Sequence, residues 1–154
     1  MGPSERVVVA GFLLALDRSY EPGTHMWVLR AGPGRVRIGM DAVGVETSGT
    51  LAQLSFAPEG TELVAGEPFG QLEAVKFVGP LVSPVSGSVL EVNDAVAMDA
   101  GLVERDPYGA GWLIEARVSR DASEMPGLLS DPVEIGAWFR ARIADYKLKG
   151  VIAQ

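Results

Sequence analysis

The sequence predicts a mainly β fold, a small barrel or sandwich, finished by one C-terminal helix. Three observations carry this expectation. Past residue 20 the chain is a series of short β-prone runs, broken by glycine or proline about every ten residues. From residue 131 the apolar period changes to that of a helix. Finally, 154 residues that are 47% hydrophobic and 21% charged suffice for a real core, so a single soluble domain over 1–154 is expected.

Taken in order, VVVAGFLLAL (7–16) reads as a buried N-terminal strand. It is ten residues long, where a membrane span needs about 20. Its leader, MGPSER, and the Asp17-Arg18 that follows do not make a signal peptide. Turn-forming Gly32, Pro33 and Gly34 between β-prone 27–29 and 36–38 predict a hairpin. Further strands are expected in 44–56, in 62–72 with breaks at Gly60 and Gly66, in 87–92 and in 112–118. A short helix is expected over 94–101, after Asn93.

The tail has its own logic. Asp131, Pro132 and Glu134 supply an N-cap, a first-turn proline and a third-position acid, so a helix should start there and run over about 131–149. Ile135, Trp138, Phe139, Ile143 and Tyr146 then recur on one face, which should dock on the β body, and Gly150 can close the helix.

Composition excludes several functions. A net charge of -7 and scattered basic residues argue against nucleic-acid and anionic-membrane partners. With no cysteine there is no disulfide, thiolate metal site or protein redox thiol. His25 is the only histidine, so His-based triads and multi-His metal sites cannot be assembled, and it is expected to be structural beside Trp27. Asp99, Glu104 and Asp106, like Glu59 and Glu62, read as solvated loop charges rather than acid/base couples. No catalytic constellation remains, and an enzyme is not expected.

Attention falls instead on LEAVKFVG (72–79). If 66–75 is one arm of a hairpin and 82–92 the return, Lys76 stands at or near the tip and projects into water. Alone it would read as an ordinary solvated lysine. Its setting changes that: Glu73, Val75 and Lys76, then Ser83-Pro84-Val85-Ser86-Gly87, then Asp106-Pro107-Tyr108-Gly109 with Gly111 to Ile114 downstream, and His25 and Trp27 upstream. In this order and spacing, over residues 20 to 120, these motifs resemble the glycine cleavage system H protein family, with Ala74 at a position that is serine in the family pattern.

The resemblance implies a barrel-sandwich hybrid, the lipoyl-domain fold. Lipoate would be joined by an amide to Lys76, with Glu73, Val75 and Gly87 as attachment motif and turn. It implies a carrier rather than a catalyst, ferrying an intermediate on a swinging arm between partners. Those partners would be a lipoate-attaching enzyme, a dihydrolipoyl dehydrogenase-like reoxidant and the loading and unloading enzymes of its complex, in the cytoplasm. The family parks its loaded arm in a cleft with polar contacts, and two acidic positions implied in that role hold Met26 and Pro80 here. Residues 77–80, FVGP, replace a small and polar run. These departures, with Tyr20 before His25, resemble the H-like lipoate-binding proteins of sulfur-oxidising heterodisulfide-reductase-like systems, which is the alternative reading. A biotin carrier is disfavoured because both methionines that flank the biotinylated lysine are absent beside Lys76, and an unmodified scaffold is the remaining possibility.

Overall fold

The structure, a computed structural model, describes residues 5–153, so the first four residues of the MGPSER leader and the final residue lie outside it. The 7–16 run is not one strand but two, β1 (Arg6–Val9) and β2 (Phe12–Ala15), paired with Val9 opposite Phe12. The reversal uses positive φ at both Ala10 (49°) and Gly11 (92°), the handedness that suits a tight hairpin. An unbroken apolar run hides such a turn, and only half of it is core: Val9, Leu14 and Ala15 are buried while Val8 is 70% exposed.

β3 (Ser19–Glu21), β4 (Met26–Gly32) and β5 (Arg35–Met40) follow, and β4 and β5 form the hairpin expected around Gly32 to Gly34. The expected strand over 44–56 begins instead as helix α1 (Ala42–Ser48), because the buried Asp41 carboxylate accepts from Gly44 N–H at 2.8 Å and caps it. Only its second half is a strand, β6 (Leu51–Phe56). The 62–72 candidate splits at the Gly66 turn into β7 (Glu62–Leu63) and β8 (Pro68–Ala74). Then come β9 (Phe77–Val82), β10 (Gly87–Val92), two short helices α2 (Asp94–Met98) and α3 (Gly101–Arg105) in place of one, β11 (Ile114–Arg117) and α4 (Pro132–Leu148). The return arm expected over 82–92 is therefore wrong: β8 turns straight into β9, while β10 belongs to another sheet.

Among the described residues the strands make three antiparallel sheets. A six-stranded sheet (β3-β4-β5-β11-β10-β7) and a three-stranded sheet (β6-β8-β9) enclose one apolar core. Val28, Ile38 and Ile114 come from the larger sheet, Leu54, Leu72 and Leu81 from the smaller. This curled pair of sheets is the barrel-sandwich hybrid. Gly87 makes one of its closures possible: a β-carbon there would sit 1.9 Å from the Arg117 carbonyl oxygen of β11.

The β1–β2 hairpin and α4 share a second core. Ile135, Phe139 and Ile143 of α4 are buried against Val9, Leu14, Tyr20 and Trp27. Asp131 accepts from Glu134 N–H at 3.1 Å and Gly150 ends the helix at positive φ. His25 ties this layer to the sheet. Its Nδ1 lies 2.8 Å from Asp41 Oδ2 and its Nε2 lies 2.9 Å from the Tyr146 hydroxyl. A carboxylate only accepts, so Nδ1–H donates to Asp41, and in the neutral ring Nε2 accepts from Tyr146 O–H. One imidazole thus joins the start of β4, the cap of α1 and the last turns of α4.

Two stability outcomes follow from these contacts. Tyr146→Phe should cost about 1 kcal/mol in urea denaturation, whereas His25→Ala should cost about 2–4 kcal/mol, because it deprives the buried Asp41 of a partner. Equal losses would count against the bridge. Gly87→Ala should lower stability by about 1–3 kcal/mol through the clash with Arg117, and an unchanged denaturation midpoint would show that β10 and β11 need no such close approach.

Candidate functional site

The site is a hairpin tip. β8 and β9 pair down to Ala74 opposite Phe77, which leaves Val75 and Lys76 as a two-residue turn. The neighbouring strand steadies it: Leu51 of β6 pairs with Ala74, and Val75 N–H donates to the Thr50 carbonyl at 3.0 Å. The Lys76 side chain is exposed, with no ion pair or side-chain hydrogen bond to another described residue. A reachable amine on a rigid turn suits acylation by a modifying enzyme.

The residues expected to serve Lys76 are only partly gathered round it. Glu73 is exposed on β8 and faces Val78 across the ladder rather than the lysine. Val75, Phe77 and Val78 are 69%, 53% and 54% exposed, so the tip carries exposed apolar side chains, and the Phe77 ring lies back over Gly79. Gly87 is not in the site. It lies past the far end of β9, roughly 20 Å down six residues of strand, and serves strand packing.

Sequence reasoning missed the wall beside the tip. Thr50, which holds Val75, also borders a cavity of about 430 Å³ between the β1–β2 turn, α1 and the segment after α3. Phe12, Leu13 and Val45 give it apolar walls, and Glu46 and Glu104 put two carboxyl groups at its edge. Its N-terminal wall went unforeseen because a hairpin was read as one strand.

The other motif positions have structural duties. Met26 is buried in the main core, and Pro80 lies on the exposed side of β9 opposite Gln71, so neither brings a polar side chain to the cavity. Ser83 O–H donates to Val85 O at 2.7 Å and shapes the turn into β10. Asn93 caps α2 and donates to the carbonyls of Ala110 and Trp112 at 2.9 and 2.6 Å. Asp106 accepts from Ala110 N–H, and Asp99 pairs with Arg105 at 2.6 Å, so these acids stiffen loops. Burial disfavours ionisation of Glu115, but hydrogen bonds from Arg37 and Arg35 outweigh it and hold the carboxyl below its ordinary value.

Comparison with known proteins bears on the family and the fold. The family model described as "Glycine cleavage H-protein" matches residues 18–135. The "Glycine cleavage system H protein" of Mycobacterium avium (strain 104) is 37% identical over 114 residues, 74% of this chain and 86% of that protein. That of Corynebacterium jeikeium (strain K411) is 41% identical over 90 residues, 58% of this chain and 70% of that one. The crystal structure of the protein of that name from Mycobacterium marinum superposes with a TM-score of 0.63 at 36% identity, covering 72% of this chain and 94% of the other. The chain belongs to the glycine cleavage H-protein family.

Proposed function

We propose that this protein is a lipoyl carrier of the glycine cleavage type, with lipoate joined through an amide to Lys76. The observation that carries the reading is the exposed, unpaired amine at the apex of the β8–β9 turn. The turn fits the group: acylation removes the lysine charge without uncovering any buried pairing, and no backbone bond must open to let an attaching enzyme in. When bound, the dithiolane supplies reversible sulfur chemistry, and the chain supplies what surrounds it. The hairpin fixes the origin of the arm, the exposed side chains of Val75, Phe77 and Val78 offer it an apolar bed, and the cavity beside Thr50 offers shelter from water. The described residues act as one unit in the cytoplasm, serving a lipoate-attaching enzyme, a dihydrolipoyl dehydrogenase-like reoxidant and the enzymes that load and unload the arm. Tethering raises the local concentration of the cargo at each of them.

A second reading has a specific observation behind it. Met26 and Pro80 stand where the family resemblance implies acidic side chains, and Phe77 places a half-exposed aromatic ring at the base of the hairpin tip. That favours an apolar or sulfur-bearing cargo, as in the H-like proteins of sulfur oxidation.

Intact mass on protein from lipoate-replete cells should show one lipoyl increment, lost in Lys76→Arg with the fold unchanged and retained in Lys147→Arg; a bare Lys76, or a modified Lys76→Arg protein, would refute the attachment. Incubated with a glycine decarboxylase and labelled glycine, the lipoylated chain should become labelled. An unlabelled chain would move the assignment to the second reading.

A further inference from the structure

Basic residues that are scattered along the sequence meet in one corner of the fold. Arg35 and Arg37 lie on β5 and Arg117 on β11, with Arg35 directly opposite Arg117 in the ladder. Arg30 of β4 and Arg120, beyond β11, line a cavity of about 200 Å³ with Arg35. Glu115 is engaged by Arg35 and Arg37, and Arg37 also stacks over Trp112 at 4.6 Å. Asp121 caps the turn after β11 by accepting from Ser123 N–H at 3.1 Å. Glu91 and Glu124 flank the corner on neighbouring segments. Arg30, Arg117 and Arg120 are exposed and have no ion pair among the described residues. Arg30, Arg35 and Arg120 face a single acid, Asp121, in the lining of the first cavity, so its walls are locally basic in a chain of net charge -7.

A second cavity, of about 240 Å³, shares Ser119 and Arg120 with the first and is walled by Pro84, Val85, Met125 and Pro126. A mainly apolar slot thus adjoins the basic cavity, with Ser119 and Arg120 as their common wall. We propose that this corner docks an acidic peptide segment of a partner protein, with its carboxylates on Arg30 and Arg120 and one large apolar side chain in the slot beside Met125. Charge complementarity selects the carboxylates, and the slot separates a peptide from a bare polyanion. The net charge of the chain further disfavours a phosphate backbone.

The corner's position gives it a use. From Lys76 the chain runs the length of β9 and through 83–86 before reaching Gly87, which abuts the Arg117 carbonyl. Corner and amine are at opposite ends of the β body, so a partner held here leaves the hairpin tip free. The docking rests on the corner alone, while its use as a tether for repeated visits of the arm rests on the proposed carrier function.

The test is nitrogen-15 NMR of the full chain, lipoylated and as Lys76→Arg, titrated with a blocked Glu-Glu-Phe-Glu-Glu peptide at low salt. Saturable shifts are expected at 30–37, 84–86 and 117–126, in both forms, with residues 73–79 unmoved. Affinity should fall about threefold or more when serine replaces the peptide phenylalanine, and several-fold at about 0.3 M NaCl. It should fall about tenfold or more in Arg30→Glu/Arg120→Glu, with the single exposed Arg120→Glu showing a smaller loss should the double variant not fold. The proposal is overturned by absence of saturable shifts, by indifference to the phenylalanine, by shifts centred on Arg140 and Arg142, or by equal or tighter binding of a short oligothymidylate. None of these results alters the lipoyl mass increment, so this inference fails separately from the carrier assignment.

Discussion

The pairing of Ala74 with Phe77 is the constraint on which the site depends. Once those two residues face each other across the ladder, only Val75 and Lys76 are left to turn the chain, and the lysine has nowhere to go but outward. Leu51 opposite Ala74 and the bond from Val75 to Thr50 make the turn part of a three-stranded sheet instead of an isolated ribbon. Alternation does the rest. Leu72 and Ala74 face the core while Gln71 and Glu73 face water, so a slip of one residue would exchange the two sets and cost the core its side chains. The tip is rigid because its stem is buried.

A second layer bears on the same site from the other side. The β1–β2 hairpin reaches the cavity beside Thr50 only because α4 presses it against Tyr20 and Trp27, and α4 in turn is held by the His25 bridge. The match to the family model begins at residue 18 and ends at 135, so the hairpin and most of α4 lie beyond it. The two outlying segments pack on each other, and one of them ends as a wall of the cavity bordered by Thr50, which holds the hairpin tip.

Local chemistry was legible wherever one residue type has one use. Asp131-Pro132 with Glu134 marked the start of α4 within a residue, and Gly32 to Gly34 marked the β4–β5 turn. Lys76 was legible as a hairpin tip even though its return strand was misplaced, since the turn depends on what borders it and not on where β9 ends. The errors have a common cause. In 7–16 and 44–56 the apolar content is high enough that periodicity cannot separate a strand from a hairpin or a helix. The Ala10-Gly11 reversal and the Asp41 cap decided those segments, and each works through backbone geometry that the residue names suggest only weakly.

The sequence by itself determined which amine is the candidate, which family the motifs resemble, and that the fold is mainly β with a terminal helix, because turn residues, caps and alternation act over a few neighbouring positions. Only the tertiary structure decided that Gly87 stands away from Lys76, that the N-terminal hairpin walls the cavity, that His25 reaches Tyr146, and that arginines spread from position 30 to 120 share one corner. The physical reason is that strand pairing brings together residues far apart in the chain. The partner of each strand in a curled sheet is chosen by the core as a whole, and no local stretch of sequence carries that choice.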